Sequence, residues 1–195
     1  MATGIRKYEK KIKHDEYRDF YVKNYRECGV DLTGLHIDEK KFLFYFHWVK
    51  KNIDYSNESG SYIQYPKETI RKGQGDCQDQ TVLVASLYLN DCFSVKIVRV
   101  SKRDGSGGHV LPMISPPKSA GPRDCYKSTD IRVRETYYYQ KIDGDKFFFA
   151  DPTHCRRVGA LDSLEGKYAS ENPSGFEFIN QRSSAVIESE RLIFN

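Results

Sequence analysis

The sequence lacks any long hydrophobic run. With 38% hydrophobic residues and a mean hydropathy of −0.68, nothing approaches the roughly 20 apolar residues that span a bilayer, so no membrane span is expected. The first residues, Met-Ala-Thr-Gly-Ile-Arg-Lys-Tyr-Glu-Lys, lack the apolar core of a secretory signal, which makes a cytoplasmic location the expectation. Charge of one sign is not in large excess either. The 31 Lys+Arg against 27 Asp+Glu leave +4, too dilute for the concentrated positive face of a nucleic-acid binder, and no nucleic-acid partner is expected. No Cys-x-x-Cys pair closes a four-ligand set, which argues against zinc although Cys125, His154 and Cys155 could supply ligands. Neither a metal nor a cofactor is expected. No internal repeat and no low-complexity segment is present.

The 195 residues suffice for one domain and are awkward for two, and a chain of this size builds a core without a metal or disulfide staple. Five cysteines are present, at Cys28, Cys77, Cys92, Cys125 and Cys155. An odd count without a secretory signal favours free thiols, with a Cys125 to Cys155 bridge left open.

Hydrophobic spacing gives the element order. Ile5, Tyr8, Ile12, Phe20, Tyr21 and Tyr25 recur at three or four residues and predict one or two amphipathic N-terminal helices. A longer helix is expected from Asp38, its candidate N-cap, to Ile53; the alternation of Phe42, Phe44 and Phe46 also admits a strand. Pro66 opens a short helix that stops at Gly73. After Asp76 a run with Val82, Leu83, Ala85, Leu87 and Leu89 is apolar nearly all round and predicts a buried helix. From Phe93 the period changes to that of strands: Val95 to Val100, then His109 to Ile114, where Pro112 suggests an edge or a bulge. Pro116 to Asp130 reads as a long irregular insertion. Val133 to Ile142 and Lys146 to Ala150 flank the turn Asp143-Gly144-Asp145 as a hairpin, and apolar stretches follow at Phe176 to Ile179 and Leu192 to Phe194. Helices followed by an antiparallel sheet make the expected fold α+β.

Cys77 stands at the first turn of the buried helix. Unsatisfied N–H groups and the partial positive charge at a helix start favour a thiolate, and the same N–H groups can stabilise an oxyanion. His109, opening a strand, and Asp151, following another, complete a nucleophile, base and orienter set. Cys28, Cys92, Cys125 and Cys155 default to packing. The cluster Lys118, Arg123, Lys127, Arg132 and Arg134 reads as a solvated loop, and Tyr137-Tyr138-Tyr139 as alternating strand residues.

The stretch Gly73-Gln74-Gly75-Asp76-Cys77-Gln78-Asp79, the buried helix after it, the strand opened by His109 and the triplet Asp151-Pro152-Thr153 together resemble the transglutaminase-like superfamily of papain-type cysteine enzymes. The resemblance spans residues 42–156. It leaves 1–36 as a helical N-terminal extension and 157–195 as a tail within a single domain, 1–195. It implies a papain/transglutaminase-like core and a Cys77, His109, Asp151 triad. It also implies acyl transfer from a peptide or protein substrate, with either water or an amine as acceptor. Hydrolysis is the preferred outcome, since no extra domain for a second protein substrate is evident; a non-catalytic peptide-binding module on the same fold is the alternative. Where the family often has a small residue and Trp after its His, this sequence has Val110 and Leu111. The expected oxyanion donor is the Cys77 N–H, with Gln64 and Trp48 as side-chain candidates, and the 116 to 130 insertion is expected to form a rim or lid.

Overall fold

The computed structural model describes residues 7, 8, 10–35, 37–57, 62–101, 108–116, 135–142, 144–160, 176–178 and 187–192. Residues 117–130 of the insertion, the basic cluster, Cys125 and the Asp104 to Gly107 turn fall outside these residues, as do the side chains of Tyr137 to Tyr139.

The N-terminal part is broken into short turns: a 3-10 turn at His14–Tyr17, helix α1 at Phe20–Asn24 and a second 3-10 turn at Tyr25–Glu27. Helix α2, Ile37–Asn52, follows, with Asp38 inside its first turn rather than capping it. Its Phe42, Phe44, Tyr45 and Phe46 are all fully buried. This explains the strand-like alternation. One side packs inward, where the Phe42 ring meets Phe148 edge-on at 5.8 Å; the other is covered by α1, with Phe20 lying 4.7 Å from Trp48 and Tyr21 5.0 Å from Phe44. A helix covered on both sides needs no polar stripe.

Strand β1, Asp54–Tyr55, pairs in parallel with β2, Gln74–Gly75. Between them lies α3, Pro66–Lys72, which ends where Gly73 adopts the left-handed conformation at φ 64° and its N–H bonds the Thr69 and Ile70 carbonyls. Helix α4, Cys77–Asn90, is buried almost throughout. The Tyr88 hydroxyl donates to the Phe42 carbonyl at 2.6 Å and Thr81 Oγ1 to the Val110 carbonyl at 3.0 Å, fixing α4 between α2 and the sheet.

The sheet has six strands: β3 (Ser94–Ser101), β4 (Gly108–Ser115), β5 (Glu135–Ile142), β6 (Asp145–Phe149), β7 (Phe176–Phe178) and β8 (Ile187–Leu192), in the order β7-β3-β4-β6-β5-β8, each pair antiparallel. The fold is therefore α+β, with a Cys-headed buried helix packed on an antiparallel sheet. The tail supplies both edge strands, a topology its short apolar stretches do not reveal. Pro112 corrects an expectation: it lies in an interior strand, without an edge. Beside β6 the local bond runs from the Ala150 N–H to the Pro112 carbonyl at 2.9 Å, which asks no donor of proline. Among the described residues no helix is long and apolar enough to cross a membrane.

Candidate active site

The helix start that carries Cys77 is built by its neighbours in sequence. Asp76 caps α4, its Oδ1 accepting from the N–H groups of Gln78 at 2.7 Å and Asp79 at 3.0 Å; these are the second and third donors of the helix, and the cap does not take the first, that of Cys77. Asp79 answers by accepting the Asp76 N–H at 3.1 Å on Oδ2, and its Oδ1 accepts the Gln64 N–H at 2.7 Å. Gln80 Nε2 donates to the Gly75 carbonyl at 3.2 Å. A side chain at Gly75 would collide with this arrangement, because a Cβ there would lie 2.7 Å from Asp79 Cβ and 3.2 Å from Thr69 Cγ2. The Gly-Asp-Cys-x-Asp wording is thus a set of local packing and capping requirements that present Cys77, half-buried, at the end of the helix.

His109 is the second residue of β4, and the Thr81 bond to Val110 ties its strand to α4 one turn beyond Cys77. Its Nε2 lies 2.7 Å from Asp151 Oδ2, both side chains being about 2% exposed, and a further side-chain hydrogen bond joins it to Cys77. Burial works against charging the imidazole. The hydrogen bonds to Asp151 and Cys77 and the charges of those two groups outweigh it, and raise the His109 pKa to about 9. For Asp151 the balance runs the same way: burial disfavours the carboxylate, but the bonds from His109 and Thr153 hold its pKa below the usual carboxylate value. Asp151 Oδ1 accepts the Thr153 hydroxyl at 2.6 Å and the Thr153 N–H at 3.0 Å, which turns Oδ2 toward the imidazole. Thr153 lies within the triplet noted in the sequence; its work on the carboxylate appears only once the turn is folded.

Cys77, His109 and Asp151 are therefore brought together in hydrogen-bond succession. The remaining candidates part company. Trp48 is buried in the main core with its Nε1 toward Glu27 at 3.4 Å, so it is no oxyanion donor. Gln64 is fully buried and joined through its backbone to Asp79 beside the helix start. Cys28 and Cys155 are buried as packing thiols, and the Cys155 thiol bonds the Ala160 carbonyl at 2.8 Å. His154 instead faces His109, so the two neighbours do not converge as ligands, and no metal-binding cluster is present among the described residues. Cys92 departs from the packing role: it is exposed, at φ 63°.

Two further residues at the site carry no motif. Tyr8 is buried, and both its hydroxyl and Lys7 Nζ donate to Gln78 Oε1 at 3.0 Å; burial and the nearby Cys77 charge push the Tyr8 pKa upward. The N-terminal extension thus reaches the helix turn that bears Cys77. Tyr8 belongs to a small buried cluster with Ile63, Val82, Ile97 and Val110, which forms only on folding.

A family model described as a transglutaminase-like domain matches residues 9–115, more than half of the sequence. The chain belongs to this family. The match begins well before residue 42, taking in most of the N-terminal extension, and includes Cys77 and His109 but stops ahead of Asp151. A solved structure from Cytophaga hutchinsonii, which carries the provisional name of cysteine protease, is similar at 12% identity and a TM-score of 0.48 over 93% of this chain. This chain spans half the length of that one. No curated protein matches the sequence.

Proposed function

We propose that this chain is a cysteine-dependent acyl-transfer enzyme acting on a peptide-like amide, with hydrolysis as the overall reaction. The observation that carries the proposal is the hydrogen-bonded succession from Cys77 through His109 to a buried Asp151, mounted on a capped helix start. With Nε2 committed to Asp151, Nδ1 is the ring nitrogen that shares a proton with Cys77. The thiolate attacks the amide carbon, forming the S–C bond while the carbonyl π pair moves to oxygen. The Cys77 N–H at the helix start holds that oxyanion, and the Gln64 amide is the side-chain candidate for a second donor. Collapse breaks the C–N bond, and His109 gives its proton to the departing amine. Water then adds to the thioester, yielding its proton to His109; the C–S bond breaks, and acid and thiolate are released. An amine in place of water would give transamidation. Asp151 keeps the imidazole in the required tautomer and stabilises its cation throughout.

The test is modification of Cys77 by iodoacetamide, read by peptide mass spectrometry with exposed Cys92 as the internal reference, followed by turnover of a peptide library in heavy-oxygen water. Cys77 should react faster than Cys92 at neutral pH, and label should enter the new carboxylate. A Cys77 no faster than Cys92, or turnover that survives both Cys77→Ala and His109→Ala, overturns the proposal. Amine incorporation without label in the acid assigns transamidation instead.

A further inference from the structure

The turn after β6 presents one ring to the site that the reaction above does not use. His154 lies with its ring centroid 4.5 Å from that of His109, tilted by 53°, and on its outer side the Tyr55 ring follows at 6.4 Å. The three rings run from the buried imidazole outward to Tyr55, which is 51% exposed. The backbone that carries His154 is held on both sides. The Asp151 carbonyl accepts the Cys155 N–H at 2.9 Å, the Cys155 thiol bonds the Ala160 carbonyl, and Lys50 Nζ donates to the Pro152 carbonyl at 3.2 Å. Tyr55 is fixed as well, through its pairing with Gly75, two residues before Cys77. His154 is therefore delivered to the face of His109 by constraints of its own.

We infer that His154 is a positioning residue for His109: its ring covers the imidazole, keeps it seated between Cys77 and Asp151, and shields their hydrogen bonds from water, with Tyr55 as the outer support. This rests on the acyl-transfer reading of the site. A neutral ring packed against the imidazole keeps water from the pair, and removing water strengthens both of its hydrogen bonds. Among the described residues, the His109 and Tyr55 rings lie against His154, Asp151 is near enough to feel its charge, and the Lys50 ammonium bonds the turn that carries it. Charge on His154 would oppose the cation on His109, so the cover works with His154 neutral.

The experiment is the pH profile of Cys77 alkylation in the full chain, comparing wild type with His154→Ala, His154→Phe and His109→Ala. Loss of the ring should slow Cys77 about ten- to a hundredfold at neutral pH, as for other displaced catalytic groups. It should also move the alkaline midpoint of the profile downward, and His154→Phe should restore both. If His154→Ala does not fold, His154→Gln removes the ring while retaining a polar side chain and gives the same readout. A profile unchanged by loss of the ring, or a folded His154→Phe protein that behaves like the Ala variant, overturns the inference. The acyl-transfer reading fails by a different sign: Cys77 in wild type is then no faster than Cys92, and His109→Ala has no effect.

Discussion

Replacing Asp151 by Asn tests the electrostatic argument most directly. The carboxylate and the His109 ring are almost wholly buried and 2.7 Å apart. Burial alone would pull the imidazole below its ordinary value, yet the His109 pKa rises from 6.5 to about 9. At about 1.4 kcal/mol for each tenfold, the partners stabilise the imidazolium by a net amount on the order of 3 kcal/mol, most of it tied to Asp151. Asn is nearly isosteric but cannot satisfy the site. With its oxygen toward the Thr153 N–H and hydroxyl, its NH2 meets the His109 Nε2–H; turned over, the NH2 meets the Thr153 N–H. The second orientation leaves donors facing donors in a buried place, which costs about 1–3 kcal/mol, and the first is relieved only by the neutral tautomer in which Nε2 accepts and the ring proton sits on Nδ1, toward Cys77. The imidazolium should therefore be lost at neutral pH, and the advantage of Cys77 over Cys92 in alkylation should fall by about a hundredfold. Amide turnover should drop by roughly 10²- to 10⁴-fold, the range of general acid–base catalysis. The assay is peptide-resolved alkylation across neutral and alkaline pH, with circular dichroism to verify folding. A folded Asp151→Asn protein with the wild-type profile would refute the reasoning.

Gly75→Ala should destabilise the protein by about 1–3 kcal/mol, because the new Cβ strikes Asp79 and Thr69; an unchanged urea midpoint would show that the helix start can shift. Asp76→Ala removes the acceptor of two helix N–H groups and should cost about 1–2 kcal/mol in the same measurement while also slowing Cys77 alkylation. Cys92→Gly should stabilise by up to about 1 kcal/mol, since an exposed non-glycine residue at φ 63° is relieved; loss of stability would contradict that. Thermal stability should follow the buried pair in both directions of pH. The raised His109 contributes fully below its ordinary value near 6.5 and loses that contribution as pH rises through about 9. The lowered Asp151 contributes above the ordinary carboxylate value and loses it on acidification, so Asp151→Asn should flatten both limbs.

The parts legible in the sequence are those whose causes are local. Gly73, Gly75, Asp76 and Asp79 act on one another within a few residues through a left-handed helix end, a close approach and a reciprocal cap, so their spacing alone announces a helix start with Cys77 on it. The all-round apolar pattern of α4 announces burial, and the β-branched run of β3 announces a strand, in the same way. Contacts between distant segments carry no such signature. The bond from His109 to Asp151 joins residues 42 apart, and it depends on β4 and β6 being neighbours in the sheet. That adjacency, the interior place of Pro112 and the recruitment of tail strands to both edges follow from which faces bury together, a property of the whole chain. The same holds for side chains given two plausible tasks. Trp48 goes to the core because α1 covers that face of α2, and His154 goes to His109 because the turn around it is tied to Lys50, Asp151 and Ala160. Local wording sets the helix start on which Cys77 stands, while packing chooses the imidazole, carboxylate and second ring around it, because packing alone sets distances between residues that the chain holds far apart.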